Sequence, residues 1–293
     1  MITRDVEASA VADLALSPAR AALAVTIDDE ILVLPASVNL DAPVDPAWSP
    51  RVVQVPEGCP DLADRNVVVV ADDGPQWFRL RSLTVRGMAK AIGDHTYRVM
   101  PQRIVAWDYG ALRQVATSPV APPRQTPFTA AGRTDEVPAF RSPELAAALQ
   151  TSRVMIVASR SLKGTPFAVP LWFVAHGGRI YTTTSASSWT VRNVVATSQV
   201  ALLFGGEGRD DPGRLLVRGY ARAVRGAPPA AVTARMAWRY YLRPEFAAVE
   251  LRHARLWALR LRYYLQSRAA YIVITPKTTT GCRAPQPQRA TSS

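Results

Sequence analysis

"RLLVRGYARA" (Arg214–Ala223) and "SLTVRGMAKA" (Ser82–Ala91) are two versions of one β-type run, sharing Leu, Val, Arg, Gly, Ala and Ala in register. Glycine weakens a strand interior unless a bulge or a close backbone approach needs it there. Its recurrence inside the same six-residue pattern therefore points to an internal repeat. The flanks support this. Upstream, "SPARAALAVTIDDEILVLPASV" (Ser17–Val38) and "TSRVMIVASRSLKGTPFAVPLWFV" (Thr151–Val174) both read as a β-rich run, a polar turn and a second β-rich run near a proline. Downstream, "TYRVMPQR" (Thr96–Arg103) echoes "AYIVITPK" (Ala270–Lys277). The chain is thus expected to hold two copies of a unit of roughly 100 to 140 residues, an ordinary domain size.

Composition agrees. With 293 residues, 48% hydrophobic and 20% charged, the chain is globular in type and long enough for two domains. Apolar runs such as "NVVVVA" (Asn66–Ala71) are far shorter than the roughly 18 residues of a membrane span. The opening "MITRDVEASA" lacks a signal-peptide pattern, and two cysteines, Cys59 and Cys282, are too few for a disulfide framework. The expected location is therefore the cytoplasm, with no membrane contact.

The formal charge of +12 raises the question of phosphate-rich partners. Lys90, Lys163 and Lys277 are the only lysines, so the charge is nearly all arginine, densest in "ARMAWRYYLRPEFAAVELRHARLWALRLRYYLQSR" (Ala234–Arg268). That stretch has no counterpart in the first repeat, where "AIGDHTY" closes the same connection as a hairpin through Gly93 and Asp94. The spacing predicts an amphipathic helix after Pro244, with Ala254, Trp257, Ala258, Leu261, Tyr264 and Leu265 as its buried stripe and the arginines on the other side. Those arginines read as a solvated face, or as a clamp for an acidic cofactor tail or for DNA. No helix-turn-helix, zinc finger or aromatic RNA-binding motif accompanies them, which argues against a dedicated nucleic-acid reader.

Six prolines between Val115 and Glu144 make that segment an extended connector. The expected organisation is a first domain at 1–113, a linker at 114–142, a second domain at 143–278 with the insertion at about 228–268, and a disordered tail at 279–293. Ser142 and Pro143 suit the start of a helix.

In the second unit, the order of helix, three strands, helix, two strands, insertion and closing strand predicts a mainly β fold with helices, closed into a barrel. "PLWFVAHGGRIYTTTSASSWTVRNVVATSQVALLF", "VRGYARAV" and "YIVITP" resemble the central and closing segments of the pyridoxamine 5'-phosphate oxidase-like superfamily, which has the FMN-binding split-barrel fold and includes flavin- and deazaflavin-dependent oxidoreductases. The likeness covers most of Leu145–Lys277 and, more weakly, Val11–Tyr109. Members usually pair as two-fold dimers with the cofactor between barrels. The resemblance therefore implies an intramolecular pseudo-dimer, monomeric or further paired as a homodimer, with Gly87 and Gly219 on matched strands.

The resemblance also implies where chemistry lies. Thr184, Ser188, Thr190 and Arg192 correspond to positions near the cofactor phosphate, and Pro170, Leu171 and Trp172 to the strand beside the isoalloxazine ring. A hydroxyl-rich strand entering a helix is also a physically sensible phosphate cradle. Trp189 and Thr190, however, stand where the oxidases typically carry Arg and Lys, and "TPFAVPLWFV" has no basic residue. Two charge-assisted contacts of about 1.5–3 kcal/mol each are missing. In the first repeat, "SPRVVQVPEGCPDLADRNVVVV" (Ser49–Val70) puts proline and acid in the corresponding place, so one site per chain is the most expected. The implied activity is hydride transfer between FMN, or the deazaflavin coenzyme F-420, and a small or planar substrate. The alternative is a non-catalytic barrel that binds haem, another tetrapyrrole or a different ligand; for haem, His176 and His253 are the candidate axial ligands. No histidine pair has metal-site spacing, and no serine elbow, Walker loop or paired-carboxylate motif is present.

Overall fold

The computed structural model describes residues 5–16, 18–39, 51–74, 79–108, 140, 142–205, 213–254, 257 and 269–283. Most of the expected linker, and the chain after Arg283, lie outside the described residues.

The first unit comprises β1 (Asp5–Val6), α1 (Ala12–Leu16), β2 (Arg20–Ile27), β3 (Glu30–Pro35), β4 (Ser37–Asn39), β5 (Arg51–Gln54), β6 (Asn66–Asp73), β7 (Arg81–Gly93) and β8 (Thr96–Asp108). The second comprises α2 (Pro143–Thr151), β9 (Val154–Arg160), β10 (Pro166–Trp172), β11 (Val174–His176), β12 (Arg179–Ser185), α3 (Trp189–Ala196), β13 (Gln199–Phe204), β14 (Gly213–Arg225), α4 (Ala230–Tyr240), α5 (Pro244–Arg252) and β15 (Ala269–Arg283). The two antiparallel sheets have the same strand order. One runs β3-β2-β6-β7-β8-β5-β4, with β1 added beside β8, and the other β10-β9-β13-β14-β15-β12-β11. The expected pair of split-barrel units is therefore present as two curled sheets, each wrapped around its own core.

Local chemistry sets the boundaries. Asp28 and Asp29 both adopt positive φ, as a two-residue β-hairpin turn requires. Ser142 caps α2 by accepting from the Leu145 amide at 3.1 Å, with Pro143 in the first turn. The repeated glycines sit at matched irregularities: the β7–β8 ladder slips between Arg86 and Gly87, and the β14–β15 ladder between Arg218 and Gly219. Gly87 then faces Pro101, and Gly219 faces Pro276. A Cβ at either glycine would collide with a carbonyl oxygen, of Met100 or of Thr275. The repeat marks a bulge and a close approach together.

The middle strands are apolar on both faces because each borders two cores. On β9, Met155 and Val157 enter the second barrel, whereas Ile156 and Ala158 join Ala22, Ala24, Val33, Val68 and Val70 of the first unit in a shared core; on β13, Leu202 and Phe204 point inward and Ala201 and Leu203 outward into it. The contacts are reciprocal: β13 meets β3 as β6 meets β10, and β9 meets β3 as β2 meets β10. This is the self-complementary pattern of a two-fold interface, built inside one chain. Two ion pairs cross it from the β2–β3 turn, Arg160 with Asp29 at 3.4 Å and Arg218 with Glu30 at 2.8 Å.

Two expectations need correction. The insertion contains two described helices, and α4 docks, through buried Val232, Met236 and Tyr240, before the proline where the helix was expected to start. Trp257 is 48% exposed and binds Glu250 through its Nε1 at 3.2 Å, so it is not a core anchor. Of the other stripe positions, Ala254 lies just past the end of α5, and Ala258, Leu261, Tyr264 and Leu265 lie outside the described residues. The first residues of the expected tail, 279–283, continue β15 as strand, with Cys282 opposite Arg214 and Arg283 opposite Gly213, because β14 supplies a pairing edge that "TTGCR" alone does not reveal; residues 284–293 lie outside the described residues.

Candidate functional site

The strand-to-helix turn of the second unit is the place to begin. Ser188 has extended backbone angles and caps α3, its Oγ accepting from the Val191 amide at 3.2 Å. Ser185 and Ser187 share a hydroxyl contact of 2.9 Å, and the Ser187 amide donates to Ser185 Oγ at 3.3 Å. These hydroxyls hold the turn itself. The first-turn amides of Trp189 and Thr190 are the donors that every helix start leaves over. Thr190 is only 3% exposed and points inward beside buried Asn193, whose Nδ2 donates to Ser159 Oγ at 3.2 Å. Arg192 lies over the ring of Trp189, 5.0 Å from its centroid, and that indole is 52% exposed. Thr184 is half-buried on β12 opposite Ala270, on the strand face shared with Ile180 and Thr182.

The strand expected beside a ring splits its residues between two faces. Leu171 packs against the barrel core, while Trp172 faces outward among residues of β9, β12, β15 and α4; Pro170 is buried beside it on β10. Trp172 is 8% exposed because α4 covers it: its indole stacks on Tyr240, with ring centroids 4.9 Å apart and planes 14° apart, and Tyr241 meets it edge-on at 6.1 Å. Tyr240 is fully buried. Its hydroxyl accepts from the Phe173 amide at 3.1 Å and directs its proton toward the carbonyls of Arg153 and Phe173, at 2.7 and 2.8 Å. Burial pushes its pKa up. Arg239 secures the same helix by donating to the carbonyls of Leu149, at 2.9 Å, and of Ser152, and by lying 5.1 Å over the Phe173 ring. Leu171 thus shares the barrel core with Ala186 and Val191 beside the turn, whereas Trp172 faces α4 on the other side of the sheet.

A flavin or deazaflavin fits this arrangement poorly. The turn offers hydroxyls and amides for a phosphate, but the Arg192 guanidinium is stacked on Trp189 and no cation stands at positions 189 or 190. The ring surface at Trp172 is occupied by Tyr240. Two clefts are present elsewhere. One, of about 160 Å³, lies between the units where Glu30 and Ile31 face Gln199, Arg218, Gly219, Tyr220 and Lys277. The other, of about 570 Å³, lies between α2, β11 and α4.

In the first unit no helix stands between β5 and β6. There, buried Leu62 enters the barrel core and its amide donates to Tyr97 Oη at 3.3 Å, with the Asp61 carboxylate 3.3 Å from the same hydroxyl. The haem candidates are also constrained. His253 is buried with Nδ1 held 2.7 Å from the Val249 carbonyl, and His176 sits on β11 near Tyr181. Burial raises the pKa of both Cys59 and Cys282, which keeps them as thiols. No cluster of three or more metal-ligating side chains occurs among the described residues, and none of their helices is long and apolar enough to cross a membrane.

Comparison with known proteins fits the fold. Residues 142–262 match the pyridoxamine 5'-phosphate oxidase family. The second unit belongs to the pyridoxamine 5'-phosphate oxidase-like split-barrel family. Solved structures similar to the chain include an F420 reductase (22% identity, 46% of this chain and 94% of that one, TM-score 0.33). Others are HutZ, a haem storage protein from Vibrio cholerae (18%, 47% and 92%, 0.36), and an FAD-binding protein from Mycobacterium smegmatis (22%, 36% and 96%, 0.30). No curated protein matches the chain. Within the split-barrel family, Tyr240 is the residue that reading the sequence missed. Its signal was the spacing Val232, Met236, Tyr240, one helix face in steps of four.

Proposed function

We propose that this chain is a non-catalytic, ligand-binding member of the split-barrel family, a single-chain pair of barrels whose ring-facing surface is sealed by its own insertion. The observation that carries this reading is the Trp172–Tyr240 stack, with the Tyr240 hydroxyl bonded to the backbone of Phe173, next to the indole in the chain, and of Arg153. Seating an isoalloxazine against Trp172 requires extracting a fully buried tyrosine. That costs about 3–5 kcal/mol by analogy with loss of a buried aromatic, on top of the two missing charge-assisted phosphate contacts.

A second reading is favoured by one observation, the presence of α3 and its hydroxyl turn in the second unit alone. In it the chain is a flavin- or deazaflavin-dependent oxidoreductase with one cofactor, its phosphate on the α3 amides, Ser188 and Arg192, and its ring clear of Trp172. The absorption spectrum of the purified protein, followed by titration with FMN, coenzyme F-420 and haem, separates the readings. No bound chromophore and no saturable binding is the expected result. A flavin or deazaflavin spectrum, or binding at one equivalent that Arg192→Ala weakens about tenfold or more, overturns the first reading in favour of the second.

A further inference from the structure

The larger cleft carries an inference that rests on the ligand-binding reading and names the ligand. It lies between α2 and α4 over β11, with Leu149 and Val174 among its apolar residues and the exposed indole of Trp238 beside it. Its volume, about 570 Å³, is within the usual range for small-molecule sites. Its polar lining is lopsided: Arg235, Arg239 and Arg243 border it, and no carboxylate among the described residues does. Arg239 is largely committed, because it ties α4 to the last carbonyls of α2. Even so, its Nε is buried without an acceptor among the described residues, a donor that calls for a partner. Arg235, one turn earlier on the same helix face, is exposed and makes no ion pair or hydrogen bond among the described residues. A concave apolar wall facing guanidiniums without acids matches a molecule with an apolar body and a negatively charged head, since the guanidinium fork binds carboxylate and phosphate alike.

We propose that the α2–α4 cleft binds an amphipathic anion, a chain or ring of roughly ten carbons ending in a carboxylate or phosphate. The insertion is then the binding device of the second unit, one helix face sealing the Trp172 surface and the next lining the cleft.

Calorimetric titration of the full chain with decanoate, decyl phosphate, decanol and decyltrimethylammonium tests it. The two anions are expected to bind at one equivalent, and the alcohol and the cation at least tenfold more weakly. Arg235→Gln, an exposed position, is expected to weaken the anions about tenfold at unchanged Tm. Ala146→Trp, which fills the cleft, is expected to abolish binding of both. Equal binding of the cation, absence of binding by either anion, or anion affinity indifferent to both substitutions overturns the proposal. So does tight binding to phosphatidylserine vesicles that Ala146→Trp leaves intact, which would make the surface of the insertion, and not the cleft, the binding element. A flavin spectrum would overturn the ligand-binding reading without touching these outcomes, so the two failures are distinguishable.

Discussion

Tyr240 concentrates three kinds of interaction in one side chain: a stacked indole, a hydroxyl shared among three backbone groups, and complete removal from water. Tyr240→Phe keeps the ring but leaves the Phe173 amide and two carbonyls short of a partner, so it should cost about 1–3 kcal/mol near neutral pH. The same residue predicts a pH dependence. Burial raises the folded-state pKa of Tyr240, so the folded protein holds that proton more tightly than the unfolded chain, where tyrosine titrates near 10. The stabilisation is therefore complete below about pH 10 and declines as pH climbs from there toward the higher folded value. Urea midpoints of wild type and Tyr240→Phe should accordingly converge above pH 10. Curves that stay parallel from pH 9 to 11 would show that the hydroxyl does not hold its proton more tightly in the fold.

At the scale of elements, the insertion divides the two repeats. β7 turns into β8 through a tight hairpin, with His95 at positive φ, whereas β14 and β15 are separated by α4 and α5. Docking is carried by α4. Tyr240→Ala should lower stability by about 3–5 kcal/mol, the range for a buried aromatic, while Trp257→Ala should cost under about 2 kcal/mol because half of its indole already meets water. Chemical denaturation of both variants checks the order. A larger loss for Trp257 would return the anchor to the later segment. The "WRYYLRP" stretch was readable as an aromatic cluster ahead of a proline, yet periodicity could not say which of two consecutive helical stripes would meet the barrel. Both have the right spacing, and only the surface they meet distinguishes them.

At the scale of the whole molecule, the shared core makes the two units one object. Ile156, Ala158, Ala201 and Leu203 on one side and Ala22, Ala24, Val68 and Val70 on the other exclude water from both sheets at once. Their small and β-branched side chains let the sheets approach closely. The chain should therefore unfold in one calorimetric transition. Ala201→Arg, which forces an unpaired charge into this core, should cost about 3–5 kcal/mol and split the transition into two. A single transition at unchanged temperature would mean that the units are not coupled there.

The sequence by itself determined the duplication, the strand content, the cap at Ser142 and the matched glycines, because each depends on local patterning: period-two burial, turn residues, and a backbone that tolerates no Cβ. The same local logic read the hydroxyl turn before α3 correctly as a helix start. Only the tertiary structure decided what faces Trp172, that a cleft lies between α2 and α4, and that "TTGCR" is strand. Those outcomes depend on contacts between segments far apart in the chain, such as Tyr240 with Phe173 and Arg214 with Cys282. A residue's type records its own preferences and not the partner that will cover it.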